Sequence, residues 1–216
     1  HAVSVLIKVL EDTDQEPMVR HEAAEALGAI GAANAIEVLE KFKTDPVVEV
    51  AETCELALER IKWLNSSDSA KLSVKSPYNS VDPAPPAASD NVDELKAVLL
   101  DENASLFERY RAMFSLRNLR SKEAVLALGV ALKYGGALFR HEIAFVLGQL
   151  QDEEGVPFLK ESLVDDGENE MVRHECAEAL GAIATDDCIQ ILNKYLDDDK
   201  RVVKESCEIA LDMCEY

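Results

Sequence analysis

The sequence predicts an all-α protein of helical-hairpin repeats, an α-solenoid whose two duplicated lobes are joined by a Pro-rich linker. Three observations lead there. Ala, Leu and Glu are plentiful while aromatics make up only 6% of the chain, a mixture that favours helices over sheets. The segment MVRHEAAEALGAI that opens at Met18 returns at Met171 as MVRHECAEALGAI, identical at twelve of thirteen positions. Inside each half, apolar-periodic runs recur at a shorter period of about 30–35 residues, the spacing of stacked two-helix repeats.

The elements follow in order. Pro17–Ile30 is predicted as a helix, with Met18, Ala26, Leu27 and Ile30 on one apolar face. Pro17 suits the first turn, where its missing N–H is not needed, and Gly31 lies just past the end. Ala35–Phe42 supplies the partner helix, and Ala51-Glu52 stands where the next repeat begins. The stretch Asn65–Asp90 is rich in Ser, Ala and Pro and holds four of the seven prolines, Pro77, Pro83, Pro85 and Pro86. It reads as an exposed linker of extended character. In the second half, repeats are centred on Arg109-Tyr110, His141-Glu142, His174-Glu175 and Lys204-Glu205; Asn169 is placed to cap the third, and Ile189–Leu196 pairs with it. The expected division is thus residues 1–64 as the remainder of an amino-terminal lobe, 65–90 as linker, and 91–216 as a carboxy-terminal lobe of about four repeats. Moving His141 back by the offset that separates Met171 from Met18 lands upstream of residue 1. A further His-Glu pair and about one and a half repeats are therefore expected to be missing from the amino end.

Charge and composition exclude several functions. A net charge of −20 argues against nucleic-acid binding, which needs clustered Lys and Arg, and favours a basic partner or cationic group. No apolar stretch approaches the ~20 residues of a membrane span. Asp165-Asp166 and Asp197-Asp198-Asp199 are expected to be solvated turn residues. The five cysteines have no CxxC spacing, which suits a reduced intracellular protein better than a disulfide scaffold or thiolate zinc site.

Apart from terminal His1, every histidine is followed by glutamate: His21-Glu22, His141-Glu142 and His174-Glu175. Polar residues near a helix start can serve the helix alone, since acidic groups there meet the positive end of its dipole. Against that, the flanking repeats keep the scaffold and replace His with Ala51, Arg109 or Lys204. Imidazole and carboxylate together are also a ligand set suited to iron that must bind oxygen. Glu25 and Glu178 fall four residues after a His and share its helix face, where they orient the imidazoles or make surface contacts. Met18 and Met171 either line an apolar channel or pack in the core.

These residues carry a resemblance. Glu16-Pro-Met-Val-Arg-His-Glu22, Leu138-Phe-Arg-His-Glu142, the Met171–Ile183 segment, Leu106-Phe-Glu-Arg-Tyr-Arg-Ala-Met-Phe114 and the linker Ser80-Val-Asp-Pro-Ala-Pro-Pro86 closely resemble the deoxyhypusine hydroxylase family, over essentially the whole chain. The resemblance implies a HEAT-like dyad with four His-Glu motifs, of which this sequence lacks the first. It implies a non-haem di-iron monooxygenase that hydroxylates the deoxyhypusine side chain of a translation factor to form hypusine. The expected cofactors are two Fe per intact enzyme, with O₂ as co-substrate and an electron donor. His21, Glu22, His141, Glu142, His174 and Glu175 become expected iron ligands or their neighbours, and Met18, Met171, Glu25 and Glu178 candidate substrate-binding residues. A cytoplasmic location without nucleic acid or membrane is expected. Two other readings remain at this point: a non-catalytic helical-repeat scaffold that binds a protein, and a bilin lyase-like repeat protein.

Overall fold

The computed structural model describes residues 1–67 and 76–214, and among these the regular elements are helices, with no strand. The chain divides into two compact units, His1–Ala88 with Ser105–Phe114, and Ser89–Ala104 with Ser115–Tyr216.

The first unit contains α1 (Ala2–Glu11), α2 (Pro17–Ile30), a short 3₁₀ turn leading into α3 (Ile36–Phe42), and α4 (Val48–Leu64). Pro17 occupies the first turn of α2, and Gly31 ends it at φ 69°, donating its N–H to the Leu27 and Gly28 carbonyls. A left-handed cap of this kind favours glycine because a Cβ is strained there. α2 packs on α1 and α4, and Leu10, Leu27, Leu39 and Val50 are fully buried in the resulting core.

The described part of Asn65–Asp90 contains no helix or strand, while residues 68–75 of that expected linker lie outside the described residues. The segment is not simply exposed, which corrects the expectation: Ala84 and Pro85 are buried, and the Ala87 N–H donates to the Arg111 carbonyl at 3.1 Å. Ala and Pro have almost no side-chain entropy to lose on burial, so a sequence that reads as a linker also packs at little cost.

The second unit contains α5 (Val92–Leu100), the end of α6 (Leu106–Leu119), α7 (Lys122–Ala131), α8 (Ala137–Leu150), α9 (Val156–Val164), α10 (Glu170–Ile183), α11 (Asp186–Lys194) and α12 (Arg201–Met213). Side-chain caps set several starts: Asn91 for α5, Ser121 for α7, Asn169 for α10 and Thr185 for α11. The Thr185 cap starts α11 at Asp186, ahead of the expected Ile189, a signal that apolar periodicity does not carry. α10 is the hub of this unit, packing against α8, α9, α11 and α12.

An arginine before each His anchors the motif helices. Arg173 donates from Nε to the Leu163 carbonyl at the end of α9 and pairs with Asp198 in the turn before α12. The same network stands at the equivalent place in the first half, where Arg20 bonds the Leu10 carbonyl and Asp45. Asp45 and Asp198 also accept from the Val47 and Lys200 N–H groups at the next helix starts. Asp198 is therefore an ion-pair partner whose side chain is only 7% exposed, which corrects its expected place among the solvated turn carboxylates; Asp197 and Asp166 do face solvent. Between these copies, Arg140 grips Glu168 through two hydrogen bonds of 2.8 and 2.6 Å.

Candidate metal centre

Each His of the three pairs is the fifth residue of its helix, one turn in from the start. α8 and α10 pack side by side, so His141 and His174, though they belong to successive repeats, stand with ring centroids 5.4 Å from each other. His141, His174 and Glu175 each offer a ligand atom, and those atoms lie within 4.8 Å of one another. All three residues are buried, with exposures of 7%, 8% and 8%. Glu175 Oε2 lies 3.3 Å from His141 Nε2, a contact that crosses from α10 to α8.

The two faces of His174 differ. Nδ1 lies 3.4 Å from Ser206 Oγ on α12 and 3.5 Å from Glu178 Oε1, while the Ser206 hydroxyl donates to Glu178 at 3.1 Å. Nε2 is buried and meets no hydrogen-bond partner among the described residues. A buried nitrogen without a partner has lost its hydration uncompensated, so it calls for an explanation. A metal ion supplies one. The hydrogen bond with His174 holds the Glu178 carboxyl below its ordinary value, outweighing burial, and the Ser206 hydroxyl acts in the same direction.

Glu142 is buried on α8. His21, in the first unit, is 1% exposed with Nε2 3.5 Å from Glu22 Oε1, whereas Glu22 is 66% exposed. Met171 is buried in the core, and Met18 and Glu25 are partly exposed. Sequence reasoning missed Ser206 and the three arginines. The arginines could have been found because one precedes every pair. Ser206 could have been found because its counterpart in the first half, Thr53, is also a hydroxyl.

Comparisons with known proteins agree with this architecture. The family described as HEAT repeats matches residues 1–59 and 136–212, and the PBS lyase HEAT-like repeat matches residues 108–134. The chain is 67% identical over 216 residues to deoxyhypusine hydroxylase of Drosophila melanogaster, covering all of this chain and 71% of that protein. It is 59% identical over 217 residues to the Danio rerio protein of the same name and 57% over 215 residues to the Homo sapiens one, covering 71% and 70% of them. The solved structure of human deoxyhypusine hydroxylase in complex with glycerol superposes with a TM-score of 0.95 at 57% identity, over 99% of this chain and 73% of that one.

Proposed function

Because the chain belongs to the deoxyhypusine hydroxylase family, we propose that it is a monooxygenase acting on the deoxyhypusine side chain of a translation factor, with iron as its metal and O₂ as co-substrate. The observation that carries the metal reading is the buried group of His141, His174 and Glu175, with the bare Nε2 of His174 beside it.

The donor set fits iron. Two imidazoles and a carboxylate with no thiolate are the ligands of non-haem iron that must keep positions open for a co-substrate. His141, His174 and Glu175 would hold one ion; Glu142 of the second unit and His21 and Glu22 of the first stay further candidates for iron ligands, each taken by itself. Iron so held supplies the activation of O₂ needed to hydroxylate an unactivated C–H bond, with electrons from a reductant. The protein's own groups do the rest. Burial of the three side chains keeps bulk water from the ligand atoms. The Glu178–Ser206 pair on the far side of His174 restrains its ring. The substrate arm bears amines that are cationic at neutral pH, and a chain of net charge −20 attracts it. Met18, Met171, Glu25 and Glu178 stay candidates for substrate contact, Glu178 with its carboxylate already engaged by His174.

Metal analysis and a hydroxylation assay on deoxyhypusine-bearing factor test this reading. His174→Ala and Glu175→Ala are each expected to lose at least about tenfold in iron affinity relative to the wild-type chain. Unchanged iron content in both variants, with a native circular-dichroism spectrum, would sink the assignment.

A further inference from the structure

We propose that Ser206 and Glu178 are positioning residues that hold His174 in the tautomer protonated at Nδ1, so that Nε2 presents a bare lone pair to the metal. The inference rests on the metal reading above and adds a role for α12, whose own repeat carries Lys204-Glu205 in place of a His-Glu pair.

For a neutral ring, the donors and acceptors around it allow a single arrangement. In a neutral imidazole one nitrogen donates and the other accepts. Nδ1 of His174 faces two oxygens, Ser206 Oγ at 3.4 Å and Glu178 Oε1 at 3.5 Å. An ionised carboxylate has no proton to give. Ser206 has one hydroxyl proton, and Glu178 Oε1 takes it at 3.1 Å. Both neighbours of Nδ1 are then acceptors, and Nδ1 must carry the proton. The lone pair falls to Nε2, the atom that is buried with no partner among the described residues. The opposite tautomer would set a lone pair against the Glu178 carboxylate and bury an undonated N–H at Nε2.

Ser206 is itself 4% exposed, so water does not readily replace its hydroxyl. Its place on α12 is set by the packing of that helix on α10. The repeat of α12 thus contributes to the site without supplying a ligand. At the equivalent position of the first half, Thr53 offers the same hydroxyl chemistry but donates to the Glu49 carbonyl at 2.7 Å. Ser206→Thr keeps the hydroxyl, and at position 206 the Glu178 carboxylate is at hand to accept from it.

The tautomer is read by two-bond ¹H–¹⁵N correlation on metal-free, ¹⁵N-labelled chain, with the His174 signals assigned by their loss in His174→Ala. The wild-type chain is expected to show the Nδ1–H form. Ser206→Ala is expected to shift His174 towards a mixture or the Nε2–H form, and Ser206→Thr to restore it. In parallel, loss of Fe(II) to a chelator should be about tenfold faster in Ser206→Ala and close to wild type in Ser206→Thr. A merely structural role would change stability in both variants without moving the tautomer. An Nε2–H signal for His174 in the wild-type chain overturns the proposal, whether or not Ser206→Ala folds. So does a Ser206→Ala spectrum identical to wild type. Failure of the wild-type chain to take up iron would overturn the metal reading instead, because the tautomer is measured without metal.

Discussion

Arg173 and Asp198 meet at 2.5 Å across the turn into α12, with side chains only 3% and 7% exposed. Arg20 and Asp45 repeat the pair at 2.6 Å in the first half. Each arginine also lies beside an aromatic ring, Tyr195 or Phe42, and these two occupy equivalent positions of the duplicated halves. The duplication has therefore preserved a whole network around the residue that precedes the His. Removing one partner strands a buried charge. Asp198→Ala is expected to cost about 3–5 kcal/mol of unfolding free energy. Urea titration of the variant against wild type checks it, and a loss within ~0.5 kcal/mol would mean that the pair contributes nothing beyond solvation.

The same carboxylates predict the acid limb of stability. Burial pushes Asp45 and Asp198 up, but hydrogen bonds from Arg20 and Arg173, the Val47 and Lys200 N–H groups and the arginine charges prevail, leaving both below 3.8. A carboxyl depressed in the folded state binds fewer protons there than in the unfolded chain. Its stabilisation is complete above 3.8 and is lost as the pH falls through the lower folded value. Asp45→Asn is expected to flatten this limb in melts recorded between neutral pH and the acid transition.

Gly181 sits where α10 meets α12, and a Cβ added there would lie 2.7 Å from Ala210 Cα and 2.8 Å from its carbonyl oxygen. Backbone cannot yield as a flexible side chain can. Gly181→Ala gains about 1 kcal/mol of helix propensity but incurs overpacking of about 1–3 kcal/mol. The expected result is a lower Tm, read by thermal melting; an unchanged or higher Tm would show that α12 shifts freely on α10.

Thiol reactivity should be sharply divided. Cys54, Cys176, Cys188 and Cys207 are buried and Cys214 is partly exposed. Burial pushes the Cys54 and Cys207 thiols up to about 12, and raises Cys176 further. A disulfide reagent at neutral pH is expected to modify Cys214 first in the native chain and the other four only on unfolding. Rapid reaction of several thiols in the native state would contradict this core.

Much of this protein is legible in its sequence because duplication writes local rules twice. Pro17, Gly31 and Asn169 mark helix ends through backbone chemistry that acts within a few residues, and α2 runs over the predicted span. The three His-Glu pairs stand out by residue type and spacing alone. Asp198 was harder to read, since an aspartate in an acidic turn looks solvated until Arg173 is placed against it.

Only the tertiary structure decided which donors meet. His141 and Glu175 come from different repeats, and their 3.3 Å contact depends on how closely α8 approaches α10, where a Cβ on Gly148 would come within 3.0 Å of Ala179 Cα. Likewise, Ser206 reaches Glu178 because α12 packs on α10, not because of any motif around it. Residue type and period act locally and so determined the helices, the repeat and the kinds of donor side chain on offer. The separation of packed helices depends on side chains from several repeats at once, and it alone set the distances that bring the His141, His174 and Glu175 ligand atoms within 4.8 Å of one another.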